Sequence, residues 1–142
     1  KNFSFVDWYE LDPEVVDVCN KHLGDIGKKS TEKNSVVSMR ANKLNITAIQ
    51  GISDKVKGIR QIAKEKKLNL KNILYVGNDL NDYHVMKICG YTACPSDSHK
   101  KIKSISDIVL ELKGGEGIVR ELLEDVFDLD FIKILYSKKE ER

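Results

Sequence analysis

From Asn45 onward, short apolar runs alternate with longer stretches in which apolar residues recur every three or four positions. The runs Ile46–Ile49, Ile73–Val76, Tyr91–Cys94 and Ile108–Leu112 predict strands. Between them, Val56, Ile59, Ile62 and Ala63 share one face of a helix predicted from about Lys55 to Lys67, with Ser53 as its capping candidate and a lysine-rich solvated face opposite. A second helix is predicted from about Asp82 to Cys89, and a third after "KGGEG", where Ile118, Val119, Leu122, Leu123, Val126 and Phe127 keep helical spacing. Strands alternating with helices in this way predict βαβ units around a parallel sheet.

The first third is less regular. "LDPEVVDVCNKHLG" predicts a helix with Asp12 at its N-cap, Pro13 in its first turn and Gly24 at its end. Another helix is expected from about Asn34 to Leu44. Between the two, "GDIGKKS" is polar and glycine-rich where an α/β repeat calls for a buried strand, so the pattern lacks a strand there. The tail "YSKKEER" reads as solvated and frayed.

Composition narrows the picture. The 142 residues, 41% hydrophobic, suffice for one domain with a core. The 24 Lys and Arg against 22 Asp and Glu are dispersed and lack interleaved aromatics, which argues against a nucleic-acid partner. Cys19, Cys89 and Cys94 lack metal-ligand spacing and read as reduced packing residues. The absence of a long apolar run and of a signal-peptide core predicts a soluble, cytoplasmic chain without a membrane partner.

In an open parallel sheet, ligands collect at the carboxyl ends of the strands. Asn78, Asp79 and Asp82 fall at such an end, directly after the strand Ile73–Val76, with Gly77 allowing a sharp turn. Hard oxygen donors of this kind suit magnesium. They equally suit a helix cap, which needs no ligand. Ser30 and Thr31 open "STEKNSVV" either as phosphate contacts or as ordinary caps. Lys55, after a strand and a glycine turn, reaches the same edge as a phosphate-neutralising cation or stands as a surface lysine.

A hydroxyl, a lysine and an acidic pair in this order resemble the motifs of the haloacid dehalogenase (HAD) superfamily. More narrowly, "STEKNSVVSMRANKLNI", "IQGISDK", "NILYVGNDLNDYHVMKICGYTACPSDSHKKIK" and "KGGEGIVREL" are similar to the 3-deoxy-manno-octulosonate 8-phosphate phosphatase group, including its relatives joined to or encoded with CMP-acylneuraminate synthetases. The resemblance implies a three-layer, Rossmann-type α/β domain over residues 30–136, with an atypical or incomplete segment 1–29 before it and a tail 137–142 after it. It implies a Mg2+-dependent phosphatase acting on a phosphorylated keto-sugar acid, in a homotetramer, with a cytidylyltransferase module as a further partner. Carried over, Ser30 binds the phosphoryl group, Lys55 offsets its charge, and Asn78, Asp79 and Asp82 form the metal side. Thr31 joins Ser30 on the substrate side, and Gly114, Gly115 and Arg120, with Gly117 in the same loop, bind substrate near the active site of a neighbouring subunit.

The chain departs from that group at the nucleophile. HAD phosphatases use an Asp-x-Asp pair at the end of the first strand, as nucleophile and as general acid and base. Here the corresponding apolar run ends at Asp7, and its partner position is Tyr9. A tyrosine, with an ordinary pKa of about 10, does not replace the carboxylic acid near neutrality. Three explanations fit: a HAD-derived domain that has lost its nucleophile and serves in oligomerisation or regulation, a segment before Ser30 that belongs to an upstream module, or an unusual site built on Asp7.

Overall fold

The computed structural model describes residues 27–30, 35–43 and 47–136. Strand β1 (Gly27–Ser30) leads to helix α1 (Ser35–Lys43) and strand β2 (Thr47–Gln50). Helix α2 (Lys55–Glu65) and a 3-10 turn (Leu70–Asn72) precede β3 (Leu74–Val76). A second 3-10 turn (Leu80–Asp82), α3 (Tyr83–Ile88), β4 (Tyr91–Cys94), α4 (Lys100–Lys103) and β5 (Ile108–Val109) follow. The described chain closes with α5 (Ile118–Glu121), a π-turn (Leu122–Val126) and α6 (Phe131–Tyr136).

All strand pairs are parallel. β1 pairs β2 from Gly27↔Thr47 to Ser30↔Gln50, and β3, β4 and β5 lie side by side in that order. The alternating direction of side chains along a strand divides the core in two. On one face, Leu74, Val76 and Ala93 pack with Leu110, Ile118, Val119, Leu122, Leu123 and Phe131. On the other, Ile73, Tyr75 and Cys94 pack with Ile59 and Ala63 of α2, Val85 and Met86 of α3, and Ile102. Helices therefore cover both faces of a parallel sheet, giving the three layers expected. Cys89 and Cys94 are buried in the second cluster, as the packing reading requires, whereas Cys19 lies outside the described residues.

Several expectations are corrected. The strand judged missing before Ser30 is present, because "GKKS" hydrogen-bonds through its backbone to β2 and needs no apolar run to do so. The cap of α2 is Asp54, whose carboxylate accepts from Lys57 N at 3.0 Å, and not Ser53. That helix ends at Glu65, short of Lys67, whose φ of 54° places it in the left-handed region. Lys67 N donates to Lys64 O and Leu68 N to Ala63 O, at 3.2 and 2.7 Å, which is a Schellman ending with lysine where glycine is usual. The strand predicted over Ile108–Leu112 shortens to its first two residues, because the Glu121 carboxylate takes the N–H groups of Glu111 and Leu112 at 2.6 and 3.0 Å. The predicted helix over Asp12–Gly24 and the tail 137–142 lie outside the described residues.

Candidate functional site

The loop leaving β3 is folded tightly on itself. Gly77 N donates to Ala93 O at 3.1 Å, which extends the sheet by one bond before the chain turns away. Its φ is not positive, so its glycine is explained by space and not by the sharp turn expected. A Cβ there would stand 2.7 Å from the Asp82 Cβ and 2.8 Å from the Met86 sulfur. Asp79 then caps the short 3-10 turn, its side chain accepting from Leu80 N at 2.7 Å and from the Asp82 backbone N–H, while the Asp82 carboxylate accepts from Asp79 N at 3.3 Å, the reciprocal arrangement of a capping box. The cap reading of the acidic pair is thus realised. It uses only part of the donor set, since Asn78 and Asp79 remain exposed.

Asp82 is the centre of the corner. It is 1% exposed, and its carboxylate accepts four hydrogen bonds. Oδ1 accepts from Lys55 Nζ at 2.6 Å and from the Tyr75 hydroxyl at 2.9 Å. Oδ2 accepts from Asn78 N at 3.0 Å and Asp79 N at 3.3 Å. Lys55, its side chain 9% exposed, also donates to Asn81 Oδ1 at 3.3 Å. Both oxygens of this buried carboxylate are met by donors, so the ion pair with Lys55 is supported on each side. Lys55 arrives from the loop after β2 and Asp82 from the loop after β3, so the carboxyl ends of these two strands converge here.

The rim continues through the neighbouring loops. His99 N donates to Asn78 O at 3.0 Å, which ties the segment after β4 to the acidic corner. In that segment Asp97 accepts from Gly114 N at 2.9 Å, bringing the glycine loop to the same edge. Gly115 and Gly117 have φ of 84° and 95°, a conformation that favours glycine, and a Cβ at Gly115 would meet nothing within 4 Å. Arg120 lies with its guanidinium 3.5 Å from Glu124 and 5.4 Å from the centre of the Phe131 ring, a local ion pair and a cation–π contact. The structure thus brings together Lys55, Asn78, Asp79, Asp82 and, through two loops, Gly114 and Gly115. Ser30 closes β1 in register with Gln50, at the strand end from which the Lys55 loop departs. Thr31, Asp7 and Tyr9 lie outside the described residues.

Tyr75, Asn81 and His99 were not singled out by the sequence. Tyr75 carried a signal all the same, being the one polar-tipped side chain in the buried run "ILYV", where a hydroxyl needs a partner. The chain also contains one Asp-x-Asp sequence, Asp128 to Asp130, far from the first strand. There Asp130 accepts from Lys133 N at 2.9 Å and caps α6, a structural use.

Among the described residues no three acidic, histidine or cysteine side chains group as a metal site. Asp82 has its oxygens filled by internal donors. Asn78, with an amide oxygen, and Asp79, with a carboxylate, are both exposed. Two adjacent hard donors, one charged, fit one side of an open magnesium site that keeps waters and takes substrate oxygens.

A lysine paired with a buried aspartate stands at the carboxyl edge of a parallel sheet. The family model of haloacid dehalogenase-like hydrolases matches residues 3–122, and the chain belongs to that family. Among its relatives, the 3-deoxy-D-manno-octulosonate 8-phosphate phosphatase of Yersinia pestis is 34% identical over 86 residues, 60% of this chain and 46% of that protein. The enzyme of the same name from Escherichia coli is 32% identical over 93 residues, 65% of this chain and 50% of that protein. The chain therefore spans about half the length of these curated relatives. The crystal structure of the Moraxella catarrhalis enzyme of that name, in complex with magnesium, phosphate and 3-deoxy-manno-octulosonate, aligns over 98% of this chain and 92% of that one. Its TM-score of 0.82 at 19% identity establishes the HAD-like α/β fold. No helix among the described residues is long and apolar enough to cross a membrane.

Proposed function

We propose that the chain is a Mg2+-dependent phosphatase domain for a phosphorylated keto-sugar acid, of the octulosonate 8-phosphate or acylneuraminate 9-phosphate type. The observation that supports this best is the Lys55–Asp82 pair at 2.6 Å beside the exposed residues Asn78 and Asp79. Lys55 offsets the charge of the phosphoryl group, and Ser30, at the end of β1, binds one of its oxygens. Asn78 and Asp79 hold the metal, which when bound draws charge from the phosphoryl oxygens. Asp82, filled by internal donors, holds Lys55 in place. Thr31, Gly114 and Gly115 belong to the substrate side, and Arg120 joins them only if a neighbouring subunit brings it there. A homotetramer and a cytidylyltransferase module, linking the reaction to CMP-sialic acid synthesis, complete this reading, as does a cytoplasmic setting.

The test is release of inorganic phosphate by the full chain from octulosonate 8-phosphate and acylneuraminate 9-phosphate, with and without Mg2+. Turnover that needs Mg2+ and is abolished by Lys55→Ala is the expected result. No turnover of either substrate overturns the reading.

One observation favours a second reading. With Tyr9 two positions after Asp7, and no Asp-x-Asp pair before Ser30, the chain lacks the family's nucleophile and acid–base pair. A non-catalytic HAD-derived domain, kept for oligomerisation or regulation of a CMP-acylneuraminate synthetase, needs neither. A stable tetramer without turnover supports it, and turnover removes it.

A further inference from the structure

Within the corner, the side chain that no motif accounts for is Tyr75. It stands in the middle of β3 and is 1% exposed, in a strand whose neighbours Ile73, Leu74 and Val76 are aliphatic. A phenylalanine would fill the same layer without burying a hydroxyl, so the oxygen is retained for a partner. That partner is Asp82 Oδ1 at 2.9 Å, the same oxygen that receives the Lys55 ammonium at 2.6 Å.

From this geometry we infer that Tyr75 is a positioning residue for Lys55, acting through Asp82. The ammonium sits on a four-carbon arm with freely rotating bonds, so its place is set by what it binds. Asn81 Oδ1, at 3.3 Å on the exposed turn, is the more distant of its two acceptors. Asp82 Oδ1 is the nearer, and it moves whenever the carboxylate turns about its Cβ–Cγ bond. The loop N–H groups of Asn78 and Asp79 fix the other oxygen, at 3.0 and 3.3 Å. The Tyr75 hydroxyl, fixed to the sheet, supplies the remaining point that stops rotation. Three attachments to two oxygens define the carboxylate plane, and the ammonium takes its position from that plane. The arrangement also keeps Asp82 turned toward the lysine and away from a cation at Asn78 and Asp79. The inference rests on Lys55 as the phosphate-facing cation, but its test does not need turnover.

The full chain is labelled with 15N-lysine, and the NH3+ resonance of Lys55 is identified by its loss in Lys55→Arg. In the unaltered protein this signal is expected to exchange slowly with water. Tyr75→Phe is expected to shift it and to speed its exchange about tenfold, the equivalent of losing one hydrogen bond to a charged group. Thr92→Val removes a buried hydroxyl bonded to Asp107 at 2.8 Å, elsewhere in the sheet, and is expected to leave the Lys55 signal in place. Inorganic phosphate binding, measured by calorimetry, is expected to weaken in Tyr75→Phe and not in Thr92→Val. An unmoved Lys55 signal in Tyr75→Phe overturns the inference, as does an equal response to Thr92→Val. Should Tyr75→Phe not fold, 3-fluorotyrosine incorporated into the full chain replaces it, and a Lys55 signal that does not respond is again fatal. A responding signal in a chain without phosphatase activity leaves the inference standing and removes the proposed function.

Discussion

Lys55 and Asp82 lie 27 positions apart in the chain and 2.6 Å apart in space, one at the start of a helix and the other fully buried at the end of a turn. The pair joins two βα units, so its loss is felt in folding as well as in chemistry. Asp82→Ala leaves the Lys55 ammonium, the Tyr75 hydroxyl and two loop N–H groups without their acceptor. The expected loss is about 3–5 kcal/mol, the range for breaking a buried ion pair from one side. Urea unfolding followed by circular dichroism measures it, and a loss below about 1 kcal/mol, the worth of a surface pair, would show that the pair is not buried in solution.

Asn78 is exposed, and its amide takes no part in the bonds that hold Asp82, which use its backbone N–H. Asn78→Asp therefore adds a charged oxygen at the rim without disturbing the floor. We expect Mn2+ or Mg2+ to bind about tenfold more tightly, a change of about 1.4 kcal/mol, with the midpoint of thermal unfolding in metal-free buffer little changed. Titration calorimetry of the two proteins checks it, and equal affinities would place the metal away from Asn78.

Gly77 and Gly115 separate two reasons for a glycine. Gly77→Ala drives a methyl to within 2.7 Å of the Asp82 Cβ and is expected to cost roughly 1–3 kcal/mol through overpacking. Gly115→Ala meets open space but must hold a φ of 84°, for which the expected cost is about 1–2 kcal/mol. Unfolding measurements should find both, but phosphate binding should change in Gly77→Ala alone, since only that methyl presses on Asp82.

Asp97→Ala removes the acceptor of Gly114 N and should free the glycine loop from the segment after β4. Amide exchange at Gly114 and Gly115 is expected to quicken by about tenfold, on the scale of one lost hydrogen bond, with global stability nearly unchanged. Unaltered exchange would mean that the Glu121 bonds to Glu111 and Leu112 fasten the loop by themselves.

The layers of the fold were legible because buried strands and amphipathic helices write their periods directly into apolar spacing. β4 was found to the residue, and α1 and α3 to within one at each end. β1 was missed for a physical reason: "GKKS" is a strand through backbone bonds to β2, and hydropathy does not register those. The end of α2 was misjudged because a left-handed lysine at position 67 does what a glycine usually announces. At the site, the spacing of Lys55, Asp79 and Asp82 marked the right corner. The division of labour within it was hidden, because a carboxylate that faces a lysine and one that faces solvent are the same letter. Only the four donors around Asp82 distinguish the two.

The absence of room at Gly77 also says how this corner can change over generations. Tyr75, Gly77 and Asp82 interlock so closely that a new side chain at one of them disturbs the others, so a change there acts first on folding. Asn78, Asp79 and Leu80, one step above, face water and meet no such steric limit. A replacement at these exposed positions therefore alters the chemistry of the rim while leaving the lysine clamp beneath in place.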